Sequence, residues 1–274
     1  MRMTRDVISC PSAIVEGIRR LRAWRASLAP YGLHIFVLVY TPILLAADAL
    51  LGGMWPQLGL GLLTFAVLVV WLGRASGVTR SHVWVCVPVA TLFEILGSLI
   101  WQGYTYRLGN IPLYVPPGHA LVFLFGLTAA SLPLIQLHAR RFELGVLAAC
   151  TVWTIGGLTV LPLVNGRYDV QGLTMWPLFA WCILRSGRGT LFAAIWVATA
   201  TLEIAGTVAG DWTWAAVAPW SHLPSGNPPS AVAAGYTIID GSVALLAPVL
   251  LAAAMRARRL LPLPLRPAPA PSEA

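Results

Sequence analysis

Apolar residues occupy long unbroken runs of this chain, and polar residues are confined to short stretches between them. The runs lie near 31–52, 55–73, 82–101, 118–137, 144–164, 172–184, 190–209 and 231–254. Most approach the roughly 20 residues that a helix needs to cross a hydrocarbon core of about 30 Å. Lipid offers the backbone no hydrogen bonds, and the runs are too continuous for alternating barrel strands. The pattern therefore predicts an all-α, polytopic transmembrane bundle of about eight helices. The sixth run, 172–184, is short at about 20 Å. It is kept as a crossing because skipping it would invert the later helices, and Asp169–Gln171 and a snorkelling Arg185 can lengthen it.

Charge fixes the expected orientation. All eighteen cations are arginines, grouped at Arg2–Arg25, Arg74 and Arg80, Arg140 and Arg141, Arg185 and Arg188, and Arg256–Arg266. With a cytoplasmic amino terminus, only Arg107 and Arg167 fall outside, which satisfies the positive-inside rule at every loop. The expected location is a bacterial cytoplasmic (inner) membrane, with both termini in the cytoplasm. The composition agrees: 58% of residues are hydrophobic and 10% charged, against about a quarter charged in soluble domains, and mean hydropathy is +0.76. The net charge of +8 does not point to nucleic acid, since no basic stretch is interleaved with stacking aromatics. Cys10, Cys86, Cys150 and Cys182 are scattered singly, so no metal, other cofactor or disulfide framework is implied. Residues 1–30 read as a basic amphipathic helix on the lipid surface, and 256–274 as a disordered cytoplasmic tail.

The two halves, 31–137 and 138–255, carry matching signals in the same order. Met54-Trp55-Pro56 opens the second run and Met175-Trp176-Pro177 the sixth. Glu94-Ile95-Leu96-Gly97-Ser98, then Trp101, Tyr104 and Tyr106, then Pro116-Pro117-Gly118, has a counterpart: Glu203-Ile204-Ala205-Gly206-Thr207, then Trp212 and Trp214, then Pro228-Pro229-Ser230. This predicts a 4+4 parallel repeat about an axis along the membrane normal. Glu94, Gly97, Ser98 and Trp101 share one helical stripe, as do Glu203, Gly206, Thr207 and Gly210, and both stripes are expected to face the interior.

Carboxylates inside spans cost roughly 2.5 to 3.5 kcal/mol each on insertion scales. Asp48, Glu94, Glu203 and Asp240 are expected near one level, lining a cleft that opens outward. Glu94, Glu203, Asp240 and His119 are the catalytic candidates. Trp101, Tyr104, Tyr106, Arg107, Asn110, Asp211, Trp212, Trp214, Asn227 and Tyr236 are the substrate-binding candidates. His119 is expected at the first turn of its helix, facing the cleft mouth. Plainer readings stand beside these. The tryptophans suit an interfacial belt, the double prolines suit helix starts, and the glutamates suit structural roles bonded to Ser98 and Thr207. A protonated carboxyl beside an ionised one suits acid–base chemistry, and aromatic faces suit a cationic intermediate on an apolar alkene.

The Glu94-x-x-Gly97 stripe, Gly103-Tyr104-Thr105-Tyr106, Leu108-Gly109 and a proline turn resemble membrane carotenoid-biosynthesis proteins of the bisanhydrobacterioruberin hydratase type. So does the second copy, with an acid, Gly210-x-Trp212-x-Trp214 and a turn at Pro224–Asn227. The resemblance covers about a third of the chain, and the Pro116-Pro117-Gly118-His119 element departs from it. It implies a polytopic enzyme acting on the ends of long carotenoids, with Glu94, Glu203 and Asp240 as acid–base candidates and a hydrophobic lipid-like substrate held within the bilayer. Two other classes remain: a proton- or ion-coupled transporter, and a non-catalytic lipid-binding or assembly protein.

Overall fold

Residues 28–260 are described by a computed structural model of the chain. The amphipathic segment expected over 1–30 lies outside them except for its last three residues, and so does the tail beyond Leu260. Nine α-helices occur among the described residues: α1 (Gly32–Leu51), α2 (Met54–Leu72), α3 (Gly77–Glu94), α4 (Val115–Ala129), α5 (Pro133–Thr159), α6 (Leu161–Asn165), α7 (Val170–Arg185), α8 (Gly189–Ala209) and α9 (Val232–Leu260). A 3-10 turn, Ala29–Tyr31, leads into α1, a π-helical turn, Ile95–Ile100, prolongs α3, and two three-residue strands, β1 (Tyr104–Tyr106) and β2 (Trp212–Trp214), complete the described fold. Arg256 and its neighbours up to Leu260 thus continue α9 rather than beginning a tail.

Among the described residues, six segments are long and apolar enough to cross a membrane: Ala29–Leu51, Met54–Leu72, Gly77–Ile100, Pro133–Thr159, Gly189–Ala209 and Val232–Ala257. Leu50, Leu163 and Val208 lie almost fully exposed on the surface, an arrangement that suits lipid and not water. The chain has the make-up of a multi-pass helical membrane protein. The two remaining expected crossings, α4 and α7, are also helical but shorter, at 15 and 16 residues.

One boundary moves. The run expected over 118–137 is two elements, because Pro133 forces Leu132 into extended backbone (φ −68°, ψ 131°) and ends α4 at Ala129. Helix α5 therefore starts at Pro133, eleven residues before the expected 144, and is kinked at His138. Elsewhere local chemistry sets the ends as usual. Ser76 caps α3 by accepting from the Thr79 amide at 3.2 Å, and Asp169 caps α7 by accepting from the Gly172 amide at 3.0 Å.

Helix α4 is the centre of the bundle. It is apolar around its whole circumference, with Leu121, Val122, Phe123, Leu124 and Phe125 all buried, so it cannot face water on any side. It packs against α1, α2, α3 and α8. Helices α3, α4, α8 and α9 form an inner ring, each packed on the next and α9 closing back on α3. Outside it, α2 lies on α4, α7 on α8 and α9, α5 on α7 and α8, and α1 on α8. The strands β1 and β2 pair antiparallel at one end of this ring.

The close approach of α4 and α8 requires Gly126, because a Cβ there would strike the side chains of Ile195 and Leu191. Gly126→Ala is expected to destabilise the bundle by about 1–3 kcal/mol through overpacking, and the double substitution Gly126→Ala with Ile195→Ala to recover part of the loss. Unfolding in mixed micelles measures both.

Candidate functional site

Both glutamates are buried, and each collects hydrogen-bond donors from the aromatic segment that follows it. Glu94 Oε2 accepts from the hydroxyls of Tyr104 and Tyr106, each at 2.7 Å, and Glu94 Oε1 lies 2.7 Å from His119 Nε2. Glu203 Oε2 accepts from the indole N–H groups of Trp212 and Trp214, each at 3.0 Å. Burial, and after it the Glu94 charge, push the Tyr104 and Tyr106 hydroxyls well above the usual phenol range, so both remain donors.

The ribbon makes this possible. Its register sets Tyr104 against Trp214, Thr105 against Thr213 and Tyr106 against Trp212. Side chains alternate across a strand, so the two threonines point out and four aromatic rings point in. Tyr104 packs on Trp214 with centroids 4.6 Å apart, and Tyr106 meets Trp212 edge-on at 6.0 Å. At both ends the backbone repeats one arrangement. The Arg107 amide donates to the Asp211 carbonyl at 2.8 Å, and the Ala215 amide to the Gly103 carbonyl at 2.9 Å. The Gly103 amide reaches back to the Gly97 carbonyl, as the Asp211 amide does to that of Gly206. The chain turns through left-handed backbone at Gln102 (φ 54°) and at Gly210 (φ 79°). Tyr104 comes ten residues after Glu94, whereas Trp212 comes nine after Glu203. The π-helical turn Ile95–Ile100 lies between Glu94 and Tyr104 and takes up that extra residue, which lets both aromatic segments arrive in the same pose.

Glycine on each acidic stripe has a steric cause. A Cβ on Gly97 would meet the Tyr104 ring at 3.0 Å, and one on Gly206 would overlap the Trp212 ring. The ring folds back over the glycine to reach the glutamate one turn earlier. Ser98 and Thr207 do not bond the carboxylates as expected; their hydroxyls donate instead to the backbone carbonyls of Glu94 and Glu203.

Beneath the ribbon lies a cavity of about 500 Å³, within the 300–1,000 Å³ usual for small-molecule sites. Glu94, Glu203, His119, Trp101, Tyr104, Tyr106, Trp212, Trp214 and Tyr236 line it, and its floor is apolar, with Leu45, Phe93, Leu121, Val122 and Ile239. His119 does not face a cleft mouth. It is buried between Glu94 and the Tyr236 ring, which stacks on it at 4.9 Å and 16°. Among the described residues, neither His119 Nδ1 nor Glu203 Oε1 takes part in a hydrogen bond.

Five expected site residues do not line this cavity. Asp240 is buried one helical turn beyond Tyr236 on α9. Arg107, Asn110 and Asp211 sit in a separate polar cluster with Asp48, which is likewise absent from the cavity wall. Asn227 fixes the ribbon, its Oδ1 accepting from the Trp214 amide at 2.9 Å. Sequence reasoning missed Tyr40, Thr64, Gln171 and Trp220, all on the wall. Tyr40 and Thr64 bond each other at 2.8 Å from two apolar runs. Their signal was a polar atom inside a span, which was weighed only for charged residues.

The chain matches no family model, no curated protein and no solved structure.

Gly206→Ala is expected to displace Trp212 and lower the melting temperature markedly. Gly97→Ala should cost less, since the atoms it meets are the far end of the Tyr104 ring. Thermal unfolding followed by tryptophan fluorescence checks the order of the two effects.

Proposed function

We propose that the cavity is the active site of a membrane-embedded acid–base enzyme. Its substrate is an apolar, polyprenoid- or carotenoid-like lipid, and the reaction is hydration, dehydration or isomerisation of a C=C bond. One observation carries this reading: two buried glutamates and a histidine meet on the wall of a single apolar, aromatic-lined cavity. The Glu94–His119 pair orients an imidazole whose Nδ1 has no other partner among the described residues. Glu203, held through Oε2 by two indoles, keeps Oε1 for the reacting group. One of these groups gives a proton to the alkene and the other receives one from water or from the carbon skeleton. The faces of Tyr104, Trp214 and Tyr236 suit the cationic species between those steps.

The protein is read as two copies of a four-helix unit, α1–α4 and α5–α9, with α6 an appendage. Support comes from the matching backbone bonds of the ribbon, the two glutamate–glycine stripes, and the inner ring in which α3 and α4 hold the places of α8 and α9. The outer helices depart from it: α1 packs on α8 of the other half, whereas α5 packs on α8 of its own. On this reading α4 and α7 also cross. At about 22–24 Å they are short for the bilayer, but α4 is enclosed by protein and need not match lipid thickness. The arginine distribution supports an orientation with both termini in the cytoplasm and the ribbon on the outer side.

Glu94→Gln and Glu203→Gln are each expected to leave the protein folded and to slow conversion of a co-expressed polyprenoid by about 10²–10⁴-fold, with substrate accumulating. Normal turnover in both variants rejects acid–base catalysis by this pair. The matched acids also suit proton- or ion-coupled transport. Substrate-dependent proton uptake into proteoliposomes, silenced by the same substitutions, would favour transport over catalysis.

A further inference from the structure

A second buried polar cluster lies at the ribbon end of the bundle, outside the cavity. Asp48, near the end of α1, and Asp211, just before β2, are each only 1% exposed. Arg107, just after β1, reaches both: its Nη2 lies 3.0 Å from Asp48 Oδ2 and its Nε lies 3.9 Å from Asp211 Oδ1. The same Nη2 donates to the Asp48 carbonyl at 2.7 Å. Tyr114, preceding α4, and Gln57 of α2 each donate to Asp48 Oδ2 at 3.2 Å, and Asn110 donates to Gln57 Oε1 at 2.8 Å. These are the charged and titratable groups that face the pair from every packed element: Asp48 from α1, Arg107 from the β1 end, Tyr114 from the α4 end.

The cluster has too many acceptors. Asp48 Oδ1, Asn110 Oδ1 and both carboxylate oxygens of Asp211 are buried and lack a donor among the described residues. Such atoms rarely go unpaired in a folded protein, and each calls for a missing hydrogen or ion. One arginine faces two carboxylates, so full ionisation would leave an uncompensated negative charge out of water, which is strongly unfavourable. Asp48 and Asp211 flank one guanidinium, Oδ2 of the first 3.0 Å from its Nη2 and Oδ1 of the second 3.9 Å from its Nε. Two carboxyl groups so close, with one neighbouring cation, are neutralised by one bridging proton, as in carboxyl pairs generally.

We propose that Asp48 and Asp211 share a single proton beside Arg107, and that this proton ties the aromatic ribbon to α1. It closes a loop of contacts through three separate elements: Asp211 and Arg107 bracket the ribbon, and the Arg107 amide already bonds the Asp211 carbonyl. Loss of the proton sets two carboxylates against each other beside the ribbon that roofs the cavity and loosens the roof. The inference is independent of the acid–base reading, since none of these three residues lines the cavity.

Burial first, then the charge of Asp48, push Asp211 up to about 7 against the opposing pull of Arg107, from an ordinary value near 3.8. The folded state therefore holds a proton that the unfolded state has released between about pH 4 and 7, so stability falls as pH rises across that window and levels off above it. Purified full-length protein in nanodiscs tests this by chemical unfolding and infrared spectroscopy. The folding equilibrium constant is expected to fall up to tenfold per pH unit between pH 5 and 7, and Asp211→Asn to flatten that slope while matching wild type at pH 5. On the wild type itself, a protonated carboxylic-acid carbonyl band should vanish between pH 6 and 8, and the band should be missing from the variant. A wild-type slope retained in Asp211→Asn, or an acid band unchanged by the substitution, overturns the proposal. So does recovery of stability at pH 8 by sodium chloride but not by choline chloride, which would mark a metal-cation site in place of a proton.

Discussion

A carboxylate withdrawn from water must find its donors in the protein, and within an apolar bundle few are at hand. Glu94 and Glu203 lie inside the helix ring, where helical backbone N–H groups are already used and the surrounding side chains are mostly apolar. Their donors come from the segments immediately downstream, which leave the helix, turn back and present phenol or indole groups from above. Much of the fold at this end follows from that need. The glycines one turn after each acid make room for the returning ring, and the left-handed turns at Gln102 and Gly210 reverse the chain. The antiparallel ribbon satisfies the backbone of segments too short to do so alone.

The two glutamates are held alike but not by the same chemistry. Tyrosine hydroxyls and a histidine surround one, and two indoles surround the other. Indole can only donate, whereas phenol and imidazole can also accept or relay a proton. Equivalent positions can thus take unequal parts in the proposed chemistry while sharing a scaffold. The ribbon that supplies the donors is also the roof of the cavity, so positioning the acids and excluding water are one structural task. Its anchors lie outside the cavity: Arg107 grips the end of α1, Arg167 donates to the Trp214 carbonyl at 3.0 Å, and Asp169 accepts from Gly226 and Ser230 beneath the loop that carries Trp220.

The helical, multi-pass character of the chain was legible because hydrophobic length is a one-dimensional property. The inward placement of Glu94 and Glu203 was legible too, since a charge inside a span avoids lipid. The stripe of Glu94 and Gly97 was expected to face the interior, and what occupies the space over Gly97 is the ring of Tyr104. Spacing reveals that room is needed and not what fills it. The end of α4 was misplaced because the apolar run continues through Leu132 and Pro133, while the backbone obeys the proline.

Hydropathy and charge spacing by themselves determined the membrane setting, the approximate positions of the helices and which carboxylates lie within them, because each depends only on composition along a line. Tertiary structure alone decided which polar groups meet. It paired β1 with β2 across more than a hundred residues, turned His119 inward onto Glu94, and left Asp240 off the cavity wall. It also drew Asp48, Arg107 and Asp211 into a cluster of their own. Hydrogen-bond and ion-pair partners are chosen by distance in space, and a bundle of packed helices brings remote residues together in ways that no local pattern encodes.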